Sequence, residues 1–160
     1  AAAERGTARY LIVAPYEVDP DLLAWRLQDL AEESGCRRLV FANAELLASA
    51  TAGPGEARAF LAWLVHWTGQ RGIALLVTAE SVLDSETAPV GVETGLYANV
   101  LAVAHERGER SGQRTIAIKR LASAEYDKRP HRLEVGPGGL QVVEIEPEGQ
   151  RSGELAARPL

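Results

Sequence analysis

The sequence predicts an α/β domain: a mostly parallel sheet flanked by helices, finishing in antiparallel strands and a hairpin. Three observations predict it. Short apolar, β-branched runs alternate with amphipathic stretches up to residue 104, the pattern of a parallel sheet with crossover helices. After His105 the texture changes to strands of alternating character. Gly136-Pro137-Gly138-Gly139 then separates two further strand-like runs, which is a hairpin signal.

Taken in order, residues 9–14, Arg-Tyr-Leu-Ile-Val-Ala, read as a first buried strand. Asp19-Pro20 supplies an N-cap and a proline for the first helical turn. Leu22, Leu23, Arg26, Leu27, Leu30 and Ala31 recur at helical spacing before Gly35, so the spacing predicts a helix over 20–34. Leu39-Val40-Phe41-Ala42 is too short and too apolar for an amphipathic helix and suits a strand covered on both faces. Residues 52–55, Ala-Gly-Pro-Gly, read as a loop, and residues 56–70 as a second helix with Phe60, Leu61, Leu64 and Trp67 on one side. Residues 73–78 give a third strand and residues 96–104 a fourth. The charged, glycine-bearing residues 106–113 have the character of a hairpin tip, with a strand over 115–119 beyond it. Strands over 133–135 and 140–145 flank the final turn. The division is thus a leader at 1–8, a domain at 9–145 and a flexible tail at 146–160.

Bulk properties narrow the function classes. With 46% hydrophobic and 24% charged residues, the 160-residue chain has the composition of a folded domain. A net charge of −5, with Lys119 and Lys128 the only lysines, runs against a nucleic-acid partner, because phosphate backbones demand clustered cations. No apolar run reaches the roughly eighteen residues of a membrane span, and the N-terminus has no signal-peptide pattern, so the expected location is cytoplasmic with no membrane partner. Cys36 stands alone, with no metal-ligand spacing around it. Methionine is absent even at position 1, which leads to the expectation that further polypeptide precedes Ala1. No nucleophile elbow, zinc-binding helix or activated Cys-His pair occurs, and neither does a Gly-Lys-Ser/Thr phosphate loop. The chain alone therefore cannot be a phosphate-loop nucleotide hydrolase.

Four segments in order resemble the second half of a KaiC-like ATPase domain of the RecA superfamily, with the match running over residues 9–145. Arg37-Arg38-Leu39-Val40-Phe41-Ala42-Asn43-Ala44-Glu45-Leu46 is similar to the family's basic pair, buried strand, Asp-Ser and short helix. Leu75-Leu76-Val77-Thr78-Ala79-Glu80-Ser81 resembles its strand ending in Thr-x-Glu. Leu96-Tyr97-Ala98-Asn99-Val100 resembles its Leu-Ala-Asp-x-Val, and residues 114–142 its closing strands. No one segment is specific, and it is their order that carries the resemblance.

The resemblance implies a RecA-like fold and a degenerate nucleotide site. The family's Asp closing the first of these strands organises a magnesium ion and its water; here the position is Ala42, and Asn43 is no carboxylate. Glu45, Thr78 and Glu80 are the other vestigial positions, each with a plainer reading as a helix-start or strand-end residue. The late motif, which reaches a neighbour's nucleotide in the family's hexamers, aligns with residues 118–127. Its Lys becomes Arg120, its Arg Ala122, its Gly and Ser become Ser123 and Ala124, its His becomes Tyr126, and Asp127 is kept. Trp25, Trp63 and Trp67 read as core or interface residues, with Trp63 and Trp67 the interface candidates for self-association or a protein partner. The Arg107, Arg110 and Arg114 patch reads as a solvated hairpin, and His66 and His105 as surface or packing residues.

The reading that follows is a non-catalytic, pseudo-ATPase regulatory or assembly module with no cofactor, no metal and no catalytic residue. The alternatives are an ATPase half completed by a phosphate loop from upstream or from a partner chain, and a small-ligand-binding α/β domain using the crevice at the strand ends. RecA-like domains seat the phosphate-loop strand between the counterparts of residues 75–78 and 100–104. That strand has no candidate here. Since each unpaired buried backbone group costs about 1–3 kcal/mol, the two flanking strands are expected to pair directly. The expected order is then the Tyr10, Leu39, Leu75, Val100 and Thr115 strands, unless a second chain fills the slot.

Overall fold

A computed structural model of the chain describes residues 8–80, 92, 94–105 and 113–143. Residues 1–7 of the leader predicted over 1–8, the hairpin tip with Arg107 and Arg110, and the tail over 146–160 lie outside the described residues. The chain divides into two compact units, Ala1–Tyr97 and Ala98–Leu160.

In the first unit, a 3-10 turn at Pro15–Glu17 leads into helix α1, Pro20–Ser34. Both of its ends follow from sequence. The Asp19 carboxylate accepts hydrogen bonds from the amides of Asp21 and Leu22 at 2.9 and 3.1 Å, and Gly35 stops the helix at φ 59°, a left-handed conformation that glycine adopts without penalty. Leu23, Leu27 and Ala31, one turn apart, are the buried stripe. Strand β1, Arg38–Phe41, pairs in parallel with β2, Ala74–Val77, in the register Leu39↔Leu75 and Phe41↔Val77. Those four side chains pack against the core, while Val40 and Leu76 face outward.

Between the two strands lie the short helix α2, Leu46–Ala50, and the long helix α3, Pro54–Gln70. α3 begins earlier than the loop expected over 52–55 allows. Proline at its first position has the right φ and lacks an amide that would go unpaired there, and the Glu56 carboxylate reaches back to the Ala52 amide at 2.7 Å. Ala57, Phe60, Leu61, Leu64 and Trp67 of α3 are buried with the α1 stripe and Leu47 of α2. Aromatic contacts tie the sheet to this helix: Phe41 to Phe60 at 5.7 Å, Phe60 to Trp63 at 5.5 Å, and Trp63 stacked on Trp67 at 5.5 Å. Arg71 lies over the Trp67 ring, 5.2 Å from its centroid, at the end of this row.

The second unit holds a four-stranded antiparallel sheet in the order β3, Asn99–His105; β4, Arg114–Leu121; β5, His131–Gly136; β6, Gly139–Val143. β3 and β4 are in register from Asn99↔Leu121 to His105↔Arg114, with an irregularity between Val100 and Leu101. β5 and β6 form the expected hairpin, closed by the Gly136↔Gly139 pair, where Gly139 at φ 102° takes a conformation closed to other residues. Arg132 and Glu134, both on one face of β5, form an ion pair.

Three expectations are corrected. Residues 9–14 form no strand: Leu11 and Val13 pack on the core and Tyr10 and Ile12 point outward, so the alternation is there, but no ladder partner accompanies it among the described residues. The fourth strand starts at Asn99, because Thr94–Leu96 tightens into a 3-10 turn, and it joins the antiparallel sheet instead of the parallel one. Among the described residues β2 and β3 accordingly belong to separate sheets, so the expected direct pairing of the Leu75 and Val100 strands is not found, whereas the Leu39 and Leu75 strands, and the Val100 and Thr115 strands, are neighbours as expected. β3 pairs with β4, the strand that follows it in sequence, and its other edge carries no ladder partner among the described residues.

Candidate functional site

The carboxyl ends of β1 and β2 are tied together by backbone. Thr78 donates its amide to the Phe41 carbonyl at 2.9 Å, continuing the ladder by one residue, and the Ala44 amide returns to the Thr78 carbonyl at 2.9 Å. The chain can make that return because Asn43 adopts φ 59°, the left-handed region that asparagine tolerates better than most residues. The Asn43 amide also points at the Thr78 hydroxyl at 3.4 Å. Ala44 is wholly buried beneath this crossing, and the carbonyls of Asn43 and Ala44 accept from Leu46 and Leu47 at 3.0 and 3.2 Å to start α2.

The five positions singled out from sequence, Ala42, Asn43, Glu45, Thr78 and Glu80, are thereby brought to one edge of the unit. Ala42 is exposed and offers a methyl group. Glu45 is half-buried, and its carboxylate accepts the Glu80 amide at 3.0 Å. Glu80 itself is exposed. The side-chain oxygens gathered here are therefore two carboxylates, one engaged with backbone, a hydroxyl and an amide. Among the described residues no three His, Cys, Asp or Glu side chains come together as a metal-binding group. Sequence reasoning missed Ala44 as the buried crossing point; the one available signal was an asparagine directly after a strand.

The late-motif residues sit in the second unit. Arg120 is exposed on β4 opposite Val100. The Tyr126 hydroxyl donates to the Lys119 carbonyl at 2.9 Å, so this side chain braces its own strand. Asp127 accepts the Arg129 amide at 2.9 Å, and the Arg129 guanidinium grips it with Nε at 2.9 Å and Nη2 at 2.7 Å to Oδ2. His131 Nε2 is 3.8 Å from the same oxygen. The Arg129 side-chain hydrogen bond, then its backbone amide, holds the Asp127 carboxyl at about 2, below its ordinary range. Neither Arg129 nor His131 stood out in the sequence, although Asp-Lys-Arg before a proline is a turn in which an aspartate can catch the amide two residues on.

Of the interface candidates, Trp67 is 3% exposed and belongs to the core, leaving no surface to offer a partner, while Trp63 is half-buried against it. Trp25 is 60% exposed on α1. His66 shares a hydrogen bond with Gln70 one turn along α3, and Cys36 is half-buried at the core's margin. Arg114 opens β4 and is exposed, as is His105 at the end of β3. No helix among the described residues is long and apolar enough to cross a membrane.

Comparison with known proteins gives a consistent result. The family model described as "ATPase: KaiC" matches residues 3–147. The "Circadian clock protein KaiC2" of Synechocystis sp. is 24% identical over 129 residues, covering 81% of this chain and 22% of that protein. The crystal structure of a KaiC-like protein from the hyperthermophilic archaeon Pyrococcus horikoshii OT3 matches with a TM-score of 0.69 at 16% identity, over 88% of this chain and 62% of that one. At that identity the likeness shows the fold alone. The chain thus spans 22% of the curated relative's length and 62% of the solved one's.

Proposed function

The chain belongs to the KaiC ATPase family, and from that premise we propose that it is a non-catalytic member: a regulatory or assembly module working through a protein partner or a second copy. The observation that carries this reading is the methyl group of Ala42 at the end of β1, where the family resemblance calls for a carboxylate. Glu45, the nearest substitute along the chain, is engaged with the Glu80 amide. A magnesium–nucleotide group does not fit the residues present, because no phosphate-loop sequence occurs and an alanine cannot order the ion's water. The negative net charge and paucity of lysine argue further for a protein partner over nucleic acid.

A second reading, an ATPase half completed by a phosphate loop from elsewhere, draws on Thr78 and Glu80, which match the family's Thr-x-Glu, and on their crossing with Asn43 and Glu45. Calorimetric titration with ATP and magnesium, with a steady-state hydrolysis assay, tests both. The non-catalytic reading expects neither micromolar binding nor turnover. Hydrolysis at about 1 per second, lost on Glu45→Gln and Glu80→Gln, would overturn it.

A further inference from the structure

We draw no further inference here: the strongest candidate, the outward face of the β1–β2 pair, where Val40 and Leu76 stand opposite each other at 63% and 55% exposure, is apolar and unpartnered among the described residues, but nothing in the structure shows what covers it.

Discussion

Glu45 and Glu80, 35 residues apart, meet through a 3.0 Å hydrogen bond in which the Glu45 carboxylate accepts the Glu80 backbone amide. Two acidic residues in one corner would ordinarily repel, but here one of them is turned onto main chain. Its acceptor fastens the segment beyond β2 to the start of α2, across the ends of the two parallel strands.

Removing that acceptor should loosen the corner without unfolding the unit. A hydrogen bond to a charged group contributes about 1.5–3 kcal/mol when well shielded and less when half-exposed, so Glu45→Ala is expected to cost about 1 kcal/mol in urea unfolding. Glu45→Gln keeps an acceptor oxygen and should cost less. Glu80→Ala leaves the amide in place and should be nearly neutral. If Glu80→Ala cost as much as Glu45→Ala, the Glu80 side chain, and not its backbone, would be what matters.

Helix α1 allows a separate test at both ends. Asp19→Ala strips the acceptor from two amides and is expected to cost about 1 kcal/mol. Gly35→Ala meets no neighbouring atom, so its cost is the backbone penalty at φ 59° alone, about 1 kcal/mol. The two ends lie roughly 22 Å apart at 1.5 Å per residue, so the double variant should be additive in chemical denaturation within about 0.5 kcal/mol. A clear excess would mean that the helix frays as one unit.

α1 was legible because its capping chemistry is local: an aspartate, a proline and a glycine each act within a few residues of themselves. The β5–β6 hairpin was legible for the same reason, through the glycines of its turn. The failures are non-local. Residues 9–14 have strand-like alternation, yet a strand exists only where a partner supplies ladder bonds, and no periodicity records that. The pairing of β3 with β4 was legible as neighbours in the expected order, but whether the other edge of β3 meets β2 was not, since Val100, Ala102 and Ala104 look the same with or without that neighbour. At the candidate site, the structure gathers at one edge of the first unit the five residues that family likeness picked out. What it could not convey was that Glu45 is occupied by an amide, that Ala44 is the buried crossing, and that Asp127 is bound by Arg129 within its own loop.

The aromatic row separates a core tryptophan from a marginal one. Trp67 is 3% exposed within the core cluster, so Trp67→Ala should cost about 3–5 kcal/mol, as large-to-small changes in cores do. Trp63 is only half-buried, and Trp63→Ala should cost clearly less while removing the ring stacked on Trp67. Denaturant midpoints of the two variants check the ranking. Equal losses would show that Trp63 is as enclosed as Trp67, which would end its candidacy as an interface anchor.

The Asp127 cluster predicts a specific pH dependence. Its carboxyl is held at about 2 by the Arg129 side chain first, then by the Arg129 amide, against an ordinary value of 3.8. The folded-state value is the depressed one, so the contribution is fully present above the unfolded value and is lost as pH falls through about 2. The difference in stability between the parent and Asp127→Asn should therefore be flat above pH 4 or so and shrink between that point and about 2. Because the cluster is at the surface, added salt should reduce it. Arg129→Gln removes the largest cause and should raise the Asp127 titration midpoint, followed by carboxyl carbon chemical shifts, while His131→Asn, which removes a group 3.8 Å away, should move it less. An Asp127 midpoint unchanged by Arg129→Gln would show that the guanidinium grip is not what holds the carboxyl low.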